Sequence, residues 1–347
     1  MLPMAGRSLR RVLLGAVTLI TLLATTAVPA VAAPTGLPAW GGGGGAAGSG
    51  PALQVPAADL ARSLTCHDVP GSPLPTILLI PGTTLTPQAN FSWNYERAFT
   101  AHNRPWCAVT LPNNAMSDIQ VSAEYVVAAI RGITGRSGKP VSIVGFSQGG
   151  MIGRWALKWW PDTRHEVGKV IGLDPSNHGT LDAYPVCVPG CAPSLWQQQT
   201  GSKFLAALNA GGETFAGIAY TSIFTPIDEV VVPNLPPAPS SALNTGAGAR
   251  RNISTFDVCL GHVAEHLTMG SFDAVGYALV IDALDHHDPA DPARVDRAVC
   301  LQPFNEGVNP VTFPVDLAQY TATVATVLAT YPHVFAEPPL APYATGT

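Results

Sequence analysis

An apolar run at 141–144 leads into Gly145-Phe146-Ser147-Gln148-Gly149, and a helical pattern begins directly after it. In a chain with 34 glycines, a G-x-S-x-G match by itself carries little weight. The setting carries it: strand, sharp turn and helix in that order lift a serine hydroxyl onto an exposed bend. Such a turn strains the serine backbone, so side chains must be missing on either side, and Gly145 and Gly149 meet that need. The start of the following helix favours negative charge developing at Ser147. The plain alternative is an ordinary glycine-rich strand-to-helix turn.

From residue 51 onward, short apolar runs alternate with helical patterns. The spacing predicts strands at 76–80, 107–111, 141–144, 170–173, 219–224 and 253–258. It predicts helices at 121–134, capped by Ser117 or Asp118 and ended by Gly135, at 151–160 and at 272–284. Alternation of this kind implies a mostly parallel, doubly wound sheet with helices on both faces. With the serine turn included, the fold class is α/β, the α/β-hydrolase fold.

A serine hydroxyl is a weak nucleophile at neutral pH, so it needs a base, and the base needs an orienting acid. In this fold they follow the serine in the order acid, then histidine. Asp228 lies just past the run 219–224, where such sheets place their sites, and is preferred to Asp174, which directly follows 170–173. His266, after the last strand and before a helix, is preferred to His262. His178 comes too early and is expected to shape a loop. His286, His287 and Asp288 sit on a polar turn and are expected to be solvated rather than to hold a metal. The oxyanion of acyl transfer needs aimed donors. The backbone N–H of Gln148 is one, and Thr83 in Pro81-Gly82-Thr83-Thr84 offers both its N–H and its hydroxyl.

Residues 1–32 read as a secretory signal: Arg7, Arg10 and Arg11, an apolar run at 12–26, and a cleavage site at Ala30-Val31-Ala32. The run is shorter than the ~20 residues of a spanning helix. Arg10-Arg11 ahead of Val12-Leu13-Leu14 also matches a twin-arginine export signal. Residues 33–50, with the run Gly41 to Gly45, read as a flexible leader, leaving 51–347 as one domain. The chain is 47% hydrophobic and 12% charged, enough apolar material for one sizeable core. Its net charge of −5, less three signal arginines, gives −8 for the exported chain, which counts against nucleic acid or an anionic membrane as partner. No other stretch is long and apolar enough to span a bilayer, and a monomer is expected. Six cysteines in an exported chain imply three disulfides. The Pro-Gly turn in Cys187-Val188-Pro189-Gly190-Cys191 points to one pair. Asn90-Phe91-Ser92 and Asn252-Ile253-Ser254 match the glycosylation acceptor pattern.

From residue 51 to near its end the chain resembles the Candida antarctica lipase B-like family and its bacterial relatives. The likeness runs in order through Leu64-Thr65-Cys66, Ile77-Leu78-Leu79-Ile80-Pro81-Gly82-Thr83, Pro87-Gln88 and Ser147-Gln148-Gly149-Gly150. It continues in Ser194-Leu195-Trp196-Gln197-Gln198, Asp228-Glu229-Val230-Val231 and Glu337-Pro338-Pro339-Leu340-Ala341-Pro342-Tyr343-Ala344. The resemblance implies the triad Ser147, Asp228 and His266, the oxyanion pair Thr83 and Gln148, and bridges Cys66–Cys107 and Cys259–Cys300. It also implies a triacylglycerol or broad carboxylic-ester substrate, with no metal and no cofactor. Three departures stand out. The loop after Thr83 is one residue shorter, Phe146 replaces a tryptophan, and the family's C-terminal cysteine pair is missing. Cys187 and Cys191 lie instead at 182–192, where the relatives carry a mobile entrance wall, so a stiffer rim is expected.

The resulting expectation is a secreted serine ester hydrolase acting as a triacylglycerol lipase through an acyl-enzyme. An esterase for short esters or polyesters is the neighbouring alternative. The helical pattern at 315–328 and the loop 233–239 serve either an apolar rim or ordinary core and surface. A binding protein on an inactive hydrolase scaffold is the alternative of another class.

Overall fold

Most strand residues have no polar face to offer, and the sheet they build is covered on both sides. A computed structural model describes residues 48–345. The expected signal at 1–32 and nearly all of the leader at 33–50 lie outside the described residues. Seven strands form one sheet: β1 (Leu64–His67), β2 (Ile77–Ile80), β3 (Trp106–Val109), β4 (Val141–Phe146), β5 (Val167–Leu173), β6 (Ala219–Phe224) and β7 (Ala249–Ser254). Their order is β1-β3-β2-β4-β5-β6-β7, with β1 antiparallel to β3 and every other pair parallel.

Alternation along the strands divides the apolar side chains between two layers. Ile77, Leu79, Val144, Phe146, Ile171 and Leu173 belong to one, whereas Leu78, Ile80, Val141, Ile143 and Val170 belong to the other. Helices α1 (Ile119–Ser137) and α2 (Gln148–Trp159) pack on the second layer, and α3 (Ala274–Asp285) packs on the first through Val275, Leu279 and Val280. The strands run toward a common edge, so the loops after β2, β4, β5 and β6 meet above the sheet.

Local chemistry moves several element boundaries from their expected places. Asp118 caps α1 by accepting the Gln120 N–H at 2.9 Å. The helix runs past Gly135 and ends where Gly138 turns left-handed at φ 65°. The run 253–258 is not one strand. Ser254 accepts the Phe256 N–H while Asp257 accepts the Ser254 N–H, and this capping box starts a short helix, Thr255–Val258. Strand β1 has no apolar run to announce it; it is an edge strand whose Cys66 sits opposite Cys107 in register and is bonded to it. The pattern at 315–328 lies within α4 (Phe313–Thr330), of which only Tyr320 is fully buried. That helix rests on an aromatic seat of Trp93, Phe272 and Phe304, with Phe304 and Phe313 rings 4.4 Å apart.

Contrary to the expectation from sequence, one stretch among the described residues, His266–Asp285, is long and apolar enough to cross a membrane, but 67% of its 18-residue apolar window is buried inside the protein. It is core. Behind α2, Phe204 is fully buried and stacks on Trp155 with ring centroids 4.3 Å apart. Phe204→Ala is expected to lower stability by about 3–5 kcal/mol, read as a lower urea midpoint at unchanged m-value.

Candidate active site

Ser147 joins β4 to α2 at φ 54° and ψ −122°, a left-handed conformation rare outside glycine. The bend survives because its surroundings leave no alternative. The Ser147 N–H donates to the Leu173 carbonyl at 2.8 Å. A Cβ on Gly145 would lie 2.1 Å from the Gly149 carbonyl oxygen, and one on Gly149 would lie 2.1 Å from that of Ile80. Neither position tolerates any other residue without moving backbone.

Phe146, one residue before the serine, carries the next contact. Its ring lies 4.8 Å from the His266 imidazole, at 41° between planes. Gly82 and Gly270 press on the same ring, and a Cβ on either would come within 3 Å of it. His266 opens a short helix, His266–Met269, whose cap Glu265 accepts the Leu267 and Thr268 N–H groups. The His266 ring is nearly fully buried, and its Nδ1 lies 2.9 Å from Asp228 Oδ2. Glu229 accepts the His266 backbone N–H at 3.1 Å.

Two carboxyls face that imidazole, and their surroundings separate them. Asp228 Oδ1 accepts the Val230 and Val231 N–H groups, both at 2.8 Å, and Oδ2 also receives Asn234 Nδ2 at 3.3 Å. Asp174 is completely buried, at φ 41°, with its Oδ2 4.0 Å from His266 Nδ1. Its Oδ1 accepts the Thr225 N–H at 2.8 Å and Asn234 Nδ2 at 3.4 Å, but its Oδ2 has no hydrogen-bond partner among the described residues. Burial first, and the neighbouring Asp228 charge second, push the Asp174 carboxyl well above the usual carboxylate range, against the Thr225 hydrogen bond. The ligand atoms of Asp174, Asp228 and His266 lie within 4.8 Å of one another, which is metal-ligand spacing. The Asp228 oxygens and His266 Nδ1 are, however, already engaged with each other and with N–H donors.

Three other histidines have partners away from Ser147, and His287 is exposed. His262 pairs with Asp273, and that hydrogen bond lifts its pKa. His178 spans the Ser240 carbonyl and Glu213, fixing a loop. His286 pairs with Asp282, and Asp288 with Arg294.

In the loop after β2, Thr83 Oγ1 accepts Gln148 Nε2 at 3.0 Å and Gln198 Nε2 at 3.1 Å. Neither the Thr83 nor the Gln148 backbone N–H has an acceptor among the described residues. Asn90 sets the loop's position: Gly82 N–H donates to its Oδ1 at 3.1 Å, and its Nδ2 donates to the Gly270 carbonyl at 2.8 Å. One buried amide thus joins the Thr83 loop to the turn after His266. The glycosylation match at Asn90 is therefore structural in the folded chain, since the amide is fully buried. Asn90, Asn234 and Gln198 were not singled out in sequence for these places. Their partners are far away in the chain, and the run of similarity through Gln198 was the one available signal.

A family model described as Lipase (class 2) matches residues 121–246. Lipase B of Pseudozyma antarctica is 31% identical over 278 residues, spanning 74% of this chain and 81% of that protein. The crystal structure of Aspergillus fumigatus lipase B superposes with a TM-score of 0.77 at 27% identity, covering 85% of this chain and 73% of that one.

Beside the site, Thr180 and Leu181 are tied to Val230 and Val232, and the chain then enters the stretch 182–192. A short helix there, Ala183–Cys187, closes on a Cys187–Cys191 disulfide. Cys191 exchanges two backbone hydrogen bonds with Val334, and Trp196 Nε1 donates to the Val334 carbonyl at 3.0 Å. The bridge therefore anchors the stretch to the segment after α4. The double variant Cys187→Ser, Cys191→Ser is expected to exchange amide hydrogens at 183–191 at least about tenfold faster, as measured by mass spectrometry, because a short loop-closing constraint is lost. Unchanged exchange there would show that the bridge does not hold the rim.

Proposed function

The chain belongs to the lipase B family, a family of carboxylic ester hydrolases, and we propose that it is a secreted triacylglycerol lipase that forms an acyl-enzyme on Ser147. The observation that carries this is the pairing of His266 Nδ1 with Asp228 at 2.9 Å, in an imidazole packed on the residue preceding Ser147. In the first half-reaction His266 Nε2 takes the Ser147 proton as Oγ attacks the ester carbonyl. The tetrahedral oxyanion is held by the N–H groups of Gln148 and Thr83 and by the Thr83 hydroxyl. Collapse breaks the carbonyl–alkoxide bond, and the leaving alcohol takes the proton back from His266. Water then attacks the acyl group by the same route and regenerates Ser147. Asp228 orients the ring throughout.

Export rests on the signal at 1–32, with cleavage near Ala32, and on three disulfides, Cys66–Cys107, Cys187–Cys191 and Cys259–Cys300. The mature protein is then the leader 33–50 and one hydrolase domain, 51–347. Exposed Leu181, Tyr184, Val186 and Val188 on the stapled rim, with Ile227 and Val230 next to Asp228, favour long acyl chains over small soluble esters. A chain-length series on the purified protein tests this. Turnover that rises on emulsified long-chain glycerides is the expected result, and activity confined to soluble butyrate esters identifies an esterase instead.

Ser147→Ala is expected to abolish ester turnover in a folded protein, and an organophosphonate is expected to add to Ser147 alone, seen by peptide mass. Asp228→Asn is expected to lower kcat by about 10⁴-fold, the loss seen when a triad carboxylate becomes an amide. Asp174→Asn leaves the Asp228–His266 hydrogen bond in place and is expected to stay within about tenfold of wild type. The reverse order of damage would make Asp174 the orienting acid.

A further inference from the structure

We propose that Gln198 is a positioning residue that, with the Gln148 side chain, turns the Thr83 hydroxyl into a fixed donor aimed at the oxyanion. The inference rests on the Ser147 reading and adds to it the group that sets the polarity of the oxyanion hole.

A hydroxyl has one hydrogen to give and two lone pairs to fill, and it rotates to suit its neighbours. Left alone, Thr83 would spend part of its time with the hydrogen turned away from the reacting carbonyl. Here both lone pairs are filled by amide N–H groups, from Gln148 at 3.0 Å and Gln198 at 3.1 Å. Each amide's orientation is forced by a partner that can only accept. Gln148 Nε2 also donates to the Ala115 carbonyl at 2.9 Å. Gln198 Nε2 also donates to the Ser194 carbonyl at 3.1 Å, and its Oε1 accepts the Ser176 hydroxyl at 2.9 Å. Flipping either amide would set its oxygen against the Ala115 or Ser194 carbonyl oxygen and lose that hydrogen bond.

With both amides fixed, the Thr83 hydrogen cannot point at either. Thr83 is only partly buried, whereas Gln148, Gln198, Ser176 and Ser194 are shielded from water. The free hydrogen is left to face the cleft, alongside the unpartnered N–H groups of Thr83 and Gln148. A donor already turned to the reacting atom needs no reorganisation in the transition state, which is where such groups gain their effect. The adjacent Gln197 has a different task. It accepts the Ile119 N–H and donates to Asp118, so it holds the start of α1.

The test uses Gln198→Met, Gln198→Glu, Thr83→Val and the two double variants, assayed on a soluble butyrate ester. Phosphonate titration of Ser147 puts each kcat on the basis of competent sites. Thr83→Val is expected to lower kcat by about 10²–10³-fold, the usual loss for one oxyanion donor. Gln198→Glu is expected to approach that loss, because a carboxylate accepts the hydroxyl hydrogen and turns it from the cleft, and Gln198→Met is expected to lose about tenfold. KM stays within about twofold, because the effect belongs to the transition state. In the Thr83→Val background, either change at Gln198 is expected to cost less than about twofold, since the hydroxyl it acts through is gone. Equal Gln198 losses in both backgrounds would overturn the proposal, as would full kcat in Thr83→Val. A wild-type protein that takes up no phosphonate would instead sink the Ser147 reading itself. If one Gln198 variant fails to fold and titrates no sites, the other still decides.

Discussion

The left-handed φ of 54° at Ser147 is the constraint from which the rest of the site follows. An L-residue rests there only if its neighbourhood over-determines it. Gly145 and Gly149 give β2 and the start of α2 room to close around the bend, and the Leu173 carbonyl pins its N–H. Once the bend is set, Phe146 must point into the layer that α3 covers. Its ring becomes the surface on which His266 lies and against which Gly82 and Gly270 pack. The Ser147 loop thereby fixes the place of His266 on one side and of the Thr83 loop on the other.

The second organising element is a division of labour between two acids. Placing carboxyls on neighbouring strand ends brings both near one imidazole, and two charges in a dry pocket repel. The protein separates them by hydrogen-bond supply. Asp228 collects backbone and amide donors, and Asp174 is left with one bare oxygen. Asn234 touches both, so one side chain holds the pair at their set distance.

Much of this was legible in the sequence where the signal is local. The run Ala219–Phe224 matches its strand end for end, and the strand–turn–helix around Ser147 has the expected form. Local competition explains the departures. At 253–258 the apolar pattern continues, but Ser254 and Asp257 form a cap that ends the strand four residues early. Gly135 looked like a helix end, yet only Gly138 adopts the left-handed conformation that ends one. The hardest features to read were the amides. Asn90, Gln198 and Asn234 are common surface residue types, and nothing within a few positions reveals that their partners lie as far off as Gly270 is from Asn90. Preferring Asp228 to Asp174 rested on distance past a strand, whereas the quantity that separates them is a count of N–H donors.

The buried amide of Asn90 also bears on how the protein can be made. Its Asn-Phe-Ser context matches an oligosaccharide acceptor, and in a eukaryotic secretory pathway such acceptors are modified while the chain is still unfolded. A sugar attached at that moment would occupy the nitrogen that later reaches the Gly270 carbonyl and would have no space in the finished interior. Modification at this site is therefore incompatible with the contacts Asn90 makes in the folded protein. A bacterial periplasm, which forms disulfides without adding that sugar, suits the fold better.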